Sequence, residues 1–138
     1  MYDVYLGGVT TSQWREDFKT QISSDISIFD PHMKNFSSLD TEDRVEQVAR
    51  EFYFMDQSSI VVFYFNSASA KSVRVQLGDA VGRGKQVVVC FDGKVKGKTF
   101  LRRYCEYRGI LIAHSIEGLV STIEECIAEV ELCSLDDD

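Results

Sequence analysis

Short apolar runs at residues 2–6, 59–65, 86–91 and 110–113 alternate with stretches of helical period, and this alternation constrains the fold more tightly than any other feature. A strand with one wet face alternates apolar and polar residues. Ser59-Ile-Val-Val-Phe-Tyr-Phe65 and Gln86-Val-Val-Val-Cys-Phe91 do not alternate, so they read as strands buried on both faces of a parallel sheet. A weaker run at 26–29 supplies a fifth strand. Between the runs, Val45, Val48, Ala49 and Phe52 recur at i, i+3, i+4, i+7, as do Val73, Leu77, Ala80 and Val81 at i, i+4, i+7, i+8. Leu119, Ile123, Cys126, Ile127 and Val130 continue the rule, so each stretch predicts an amphipathic helix with one face on the sheet. Thr11-Ser12 precede a first helix at about 13–23, Asp40 or Thr41 caps the second, and Gly109 stops a helix over 100–108. The order β-α repeated five times, with right-handed crossovers, predicts an α/β, flavodoxin-like, doubly wound five-stranded parallel sheet in the order 2-1-3-4-5.

At 138 residues and 44% hydrophobic content the chain fits a single domain over 1–135, followed by an acidic tail at 136–138. No apolar stretch approaches the ~20 residues of a spanning helix, and Met1 leads directly into a strand, so a soluble, unsecreted, cytoplasmic protein is expected, with no membrane partner. A net charge of -7 argues against binding a nucleic acid polymer, whose phosphates need a basic face. Small nucleotides need only a few local donors and stay open. Cys90, Cys105, Cys126 and Cys133 lack CxxC spacing, and His32 and His114 stand alone, so no metal site or disulfide framework is expected and the thiols read as buried and reduced.

In a sheet of this order ligands sit beyond the carboxyl ends of the strands, where the strand order reverses, here between the first and third strands. The loops that leave them are 7–12 and 66–71. Gly7-Gly8 permits close backbone approach to a ligand ahead of a helix N-terminus, although GxGxxG and Walker patterns are absent. Asn66, Ser67 and Ser69 offer an amide and hydroxyls to a sugar or a phosphate, or cap the next helix. Trp14 suits core packing or a base, and Arg15 offers a planar fork to an anion. Lys94, Lys96 and Lys98 form a basic loop after the fourth strand, and the cations of Gly82-Arg83-Gly84-Lys85 suit a helix C-terminus. Gln76 lies one turn into the third helix, about 60° from Val73 at the edge of the apolar stripe, with Asp79 three residues on.

Taken together, Tyr5-Leu-Gly-Gly8, Trp14-Arg15, Phe29-Asp30-Pro31 and Val75-Gln-Leu-Gly-Asp-Ala80 before Gly84-Lys85 resemble the nucleoside 2-deoxyribosyltransferase-like superfamily. The resemblance implies a nucleoside or nucleotide as ligand, N-glycosidic cleavage or transfer, no cofactor and a homo-oligomer. It also implies a glutamate nucleophile in a Glu-Leu-Gly segment, oriented by a first-strand tyrosine for which Tyr5 is the counterpart. An acid assisting the leaving base falls near the third strand, with Asp56 and Glu51 as candidates, and a further family aspartate would fall at Ala70 and is missing. Here Gln76 occupies the nucleophile position. A neutral amide is a poor nucleophile and gives no charge to an oxocarbenium-like centre, while keeping shape and hydrogen bonding. Three readings follow: a substrate-trapping Glu-to-Gln change in an enzyme, a natural noncatalytic nucleotide sensor or sequestering protein, or an enzyme in which Asp79 has taken over. A vestigial crevice on an interaction module is a further alternative.

Overall fold

A computed structural model describes residues 1–10, 13–32, 39–68, 71–95 and 97–136, with side chains described through residue 133. Five parallel strands form one sheet in the order β2-β1-β3-β4-β5: β1 (Tyr2–Gly8), β2 (Ile28–Phe29), β3 (Ser58–Phe65), β4 (Gln86–Phe91) and β5 (Leu111–Ala113). The helices are α1 (Trp14–Gln21), α2 (Thr41–Asp56), α3 (Lys71–Gly82), α4 (Lys98–Arg108) and α5 (Ile116–Asp136). This is the doubly wound α/β architecture expected. α1 packs beside α5, whereas α2 and α3 cross β1 and β3 on the return connections. The central strands are apolar throughout because both faces are covered: Val4 to Leu6, Ile60 to Phe65 and Val87 to Phe91 are all buried.

The caps follow local chemistry. The Asp40 carboxylate accepts from the Asp43 N–H at 2.8 Å and starts α2. Gly109 sits in the left-handed region (φ 69°) and ends α4. Ser115 accepts from the Gly118 N–H at 3.0 Å at the start of α5. The carbonyls of Ser58 and Asp56 accept from Lys85 at 2.6 and 3.1 Å, and Arg83 pairs with Asp79 at 3.2 Å and with Asp56. That corner of the fold therefore consumes both cations of the Gly82-Arg83-Gly84-Lys85 turn.

Three expectations shift. β1 runs two residues further than the apolar pattern, through Gly7 and Gly8, because both glycines stay in register with β3, opposite Phe63 and Tyr64. α5 continues through Asp136, the first residue of the expected tail, while 137 and 138 lie outside the described residues, as do Thr11 and Ser12. Most of the stripe Val45, Val48, Ala49 and Phe52 does not lie on the sheet: Val45, Val48 and Ala49 are exposed, Phe52 packs partly buried against the core, and Gln47, Glu51, Phe54 and Met55 turn inward. Burial pushes the Cys90 thiol up to about 12 and that of Cys105 up to about 11, whereas Cys133 is exposed. No helix among the described residues is long and apolar enough to cross a membrane, and no group of residues there could hold a metal ion.

Candidate functional site

A crevice of about 760 Å³ opens at the carboxyl end of β1, where the strand order reverses. Its floor is Gly7, Gly8 and Thr10. One wall is α2, through Gln47, Val48, Glu51 and Phe52, and the other is the first turns of α3, through Ser72, Val73, Val75 and Gln76. Arg15, Pro31 and His32 close one end.

The floor depends on both glycines. A Cβ on Gly7 would stand 2.9 Å from the Phe63 ring, and one on Gly8 (φ 141°) would stand 2.7 Å from the Tyr64 carbonyl oxygen. Only glycine fits against β3 at these two positions, and their backbone lines the crevice floor. The loop that follows is pinned from below. Trp14 stacks on Tyr64 (centroids 4.6 Å apart, 9° between planes) and donates through Nε1 to the Val9 carbonyl at 2.8 Å. Arg15 donates to the carbonyls of Val9 (2.7 Å) and Gly8 (3.2 Å), and its Nε lies 3.0 Å from the Asp30 carboxylate, off the N–H axis. Asp30 also takes Lys19 at 2.7 Å and the His32 N–H at 2.9 Å. Burial opposes ionisation of Asp30, but Lys19, the His32 N–H and Arg15 outweigh it and hold the carboxyl below its ordinary range. Trp14, Arg15 and Asp30 are therefore a buried brace beneath the glycine loop, and most of the Arg15 fork is already engaged.

Above the brace lie polar groups with no hydrogen-bond partner among the described residues. The Tyr5 hydroxyl is buried with no hydrogen bond among the described residues, one pleat before Gly7 on the same sheet face. Burial, reinforced by the nearby Glu51 charge, raises its pKa far above the ordinary tyrosine value. Glu51 is half-buried, and desolvation raises its pKa although Arg15 pulls the other way. No hydrogen bond to Glu51 or Gln76 forms among the described residues, and the two line opposite walls. Buried or half-buried polar groups left unpaired around one cavity mark a place where a polar ligand would complete the hydrogen bonding.

The structure brings Gly7, Gly8, Arg15 and Gln76 into one crevice, with Trp14, Tyr5 and Asp30 supporting it. It does not bring Asp56 or Asp79 there. Both are held by Arg83, and Asp56 precedes β3, at the opposite end of the sheet from the crevice. The Asn66 side chain accepts from the Ala68 N–H at 2.8 Å, which commits it to its own turn; Ser67 is exposed off the lining, and Ser69 lies outside the described residues. Neither Lys94 nor Lys98 lines the crevice, Lys98 lying 5.6 Å over the Phe91 ring instead, and Lys96 lies outside the described residues. Gln47, Phe52 and His32 are lining residues that the sequence reading did not select. The available signal was the i, i+4 pair Gln47 and Glu51 on the face of α2 opposite its apolar stripe.

The family model described as nucleoside 2-deoxyribosyltransferase like matches residues 1–94. The chain belongs to this family. The matched segment runs from β1 past the end of β4 and so contains every residue of the crevice. No curated protein sequence matches the chain. Among solved structures, the FeoB G-domain from Methanococcus jannaschii is similar, with a TM-score of 0.52 over 95% of this chain and 96% of that one. At 12% identity that likeness is one of fold. As a member of the nucleoside 2-deoxyribosyltransferase-like family the chain has a nucleoside-related lineage, with a small molecule of that type as the ligand class the family suggests.

Proposed function

We propose that the crevice binds a nucleoside or nucleotide, with the ribosyl group over Gly7 and Gly8 and its hydroxyls and base edge completing the hydrogen bonding of Gln76, Glu51 and Tyr5. The observation that carries this reading is the meeting of two unpaired polar walls over a bare backbone floor, in a chain of this family. Gln76 stands at the position of the family nucleophile. An amide forms no stable glycosyl intermediate and offers no charge to an oxocarbenium-like centre, so a covalent route through this position is closed. Glu51 is the one carboxylate in the lining among the described residues. Desolvation raises its pKa, the direction that suits a general acid in N-glycosidic cleavage. The chain as it stands is then a binder whose acid is in place and whose nucleophile is not. That also supports a second reading, a noncatalytic nucleotide sensor.

Incubation with a panel of nucleosides, mononucleotides and nicotinamide dinucleotides, read by melting temperature and by released base, tests both. Binding is expected to raise the melting temperature of the wild type. Gln76→Glu is expected to increase base release by about a hundredfold or more, and Glu51→Gln in that background to remove most of the gain. Binding without turnover in any variant favours the sensor. If no compound shifts the melting temperature, the nucleotide reading fails.

A further inference from the structure

α4 has two unlike faces. Leu101 and Cys105 are buried and join the core, while Phe100 and Tyr107, on the opposite side, are 80% and 81% exposed. By the 100° step Phe100, Tyr104 and Tyr107 fall within about 60° of arc, with Arg103 and Arg108 on its two flanks. Exposed rings grouped on one face contribute little to the fold and mark an interaction surface. The charge around them is equally uneven. Residues 94–108 carry six of the 15 Lys and Arg residues and one acid, Glu106, a local net charge of +5 in a chain whose total is -7. Glu106 pairs with both Arg102 and Arg103, at 3.3 and 2.8 Å, whereas no ion pair among the described residues takes Lys94, Lys98 or Arg108. Arg74 of α3 extends the patch: its guanidinium reaches the Gly97 turn at the head of α4, 3.3 Å from where a Cβ on that glycine would stand.

We propose that this face of α4 binds single-stranded nucleic acid, with bases stacked on Phe100, Tyr104 and Tyr107 and phosphates met by Arg103, Arg108, Lys94 and Lys98. An exposed ring accepts the face of any base, and a cation beside it meets the phosphate of the same strand. Arg108 already lies 5.9 and 5.7 Å from the Tyr104 and Tyr107 ring centres. From Phe100 to Tyr107 the helix axis runs about 10 Å, the length of about three nucleotides of stacked strand. The arrangement favours this partner over other anionic ones. A helix that lies in a membrane surface keeps its apolar and cationic faces apart, whereas rings and cations share one face here. The core of a protein interface is depleted of Lys and of charge generally, whereas this patch is dense in both. A duplex keeps its bases paired and stacked on one another, with no free base face for the rings. The net charge of -7 disfavours nucleic acid over the surface as a whole, but the +5 is concentrated on one helix and its leading loop. α4 lies beyond the segment matched by the family model and outside the crevice lining, so binding there does not depend on what the crevice holds.

Fluorescence anisotropy of a labelled oligothymidylate about 12 nucleotides long, titrated with the full chain over a salt series, tests it. A labelled duplex of the same length and phosphatidylserine vesicles are run beside it, and circular dichroism checks that substituted chains stay folded, as expected at these surface positions. The wild type is expected to bind the single strand, more weakly as salt rises, and the duplex about tenfold more weakly. Phe100→Ala and Tyr107→Ala are each expected to weaken binding about tenfold at an unchanged salt slope. The double variant Lys94→Gln, Lys98→Gln is expected to flatten the slope of log affinity against log salt by about 1.4. No binding at low salt, equal binding to the duplex, binding to the vesicles alone, or an affinity indifferent to both aromatic substitutions each overturns the proposal; the last would move oligonucleotide binding to the crevice.

Discussion

Gly8 shows how much of this site is set by single residues. Its φ of 141° and the 2.7 Å approach of a built Cβ to the Tyr64 carbonyl oxygen leave no room for a side chain. Gly8→Ala is expected to destabilise the fold by about 2–4 kcal/mol, read as a lower urea midpoint at unchanged slope. Asp30 makes the complementary point for charge. Because its native pKa lies below the unfolded value, its contribution is fully present above the unfolded pKa and is lost as pH falls through the native one. Asp30→Asn is therefore expected to lower stability by about 2 kcal/mol at neutral pH, with the gap to wild type closing below about pH 4, where the unfolded carboxylate protonates. Thermal unfolding of both proteins across that range checks the sign. A gap that widens in acid would mean that Asp30 is not stabilised as the carboxylate. Gln76, by contrast, stood out in the sequence only through the family resemblance of the segment around it. That it makes no hydrogen bond among the described residues on the crevice wall became visible only in the fold.

At the scale of elements, α2 separates pattern from placement. Its period is helical and Asp40 caps it as its chemistry predicts. Asp40→Ala is expected to cost about 1 kcal/mol, seen as a downward shift of the melting temperature. The direction in which the helix faces was not legible, because periodicity identifies a stripe without saying what covers it. The reading that sends an apolar stripe inward placed Val45 and Val48 on the sheet, and Glu51 entered only as one of two candidates implied by the resemblance. The structure leaves Val45 and Val48 exposed and places Gln47 and Glu51 in the crevice lining. Trp14 and Arg15 are a milder case. Both were legible as belonging to the binding-loop side, but the Val9 and Gly8 carbonyls and the Asp30 carboxylate, which turn them into a brace, come from separate segments of the chain.

For the whole molecule, the family match ends at residue 94 while the fold does not. α5 packs against α1, β4 and β5 and buries Leu119, Val120, Ile123 and Cys126. A fragment of residues 1–94 would keep every crevice residue yet lose β5 and uncover the part of the sheet face that α5 covers. It is expected to show no cooperative thermal transition and weak amide dispersion in NMR spectra. A fragment that melts cooperatively would show that the crevice half is an autonomous unit. By itself the sequence determined the strand order, the position of the crevice and the family, because these follow from local period, the handedness of crossovers and short motifs contiguous in the chain. Only the tertiary structure decided which carboxylate enters the crevice, which arginine is already engaged and which face of α2 meets water. Each of these depends on groups far apart in sequence competing for the same neighbours, and a one-dimensional pattern carries no record of that competition.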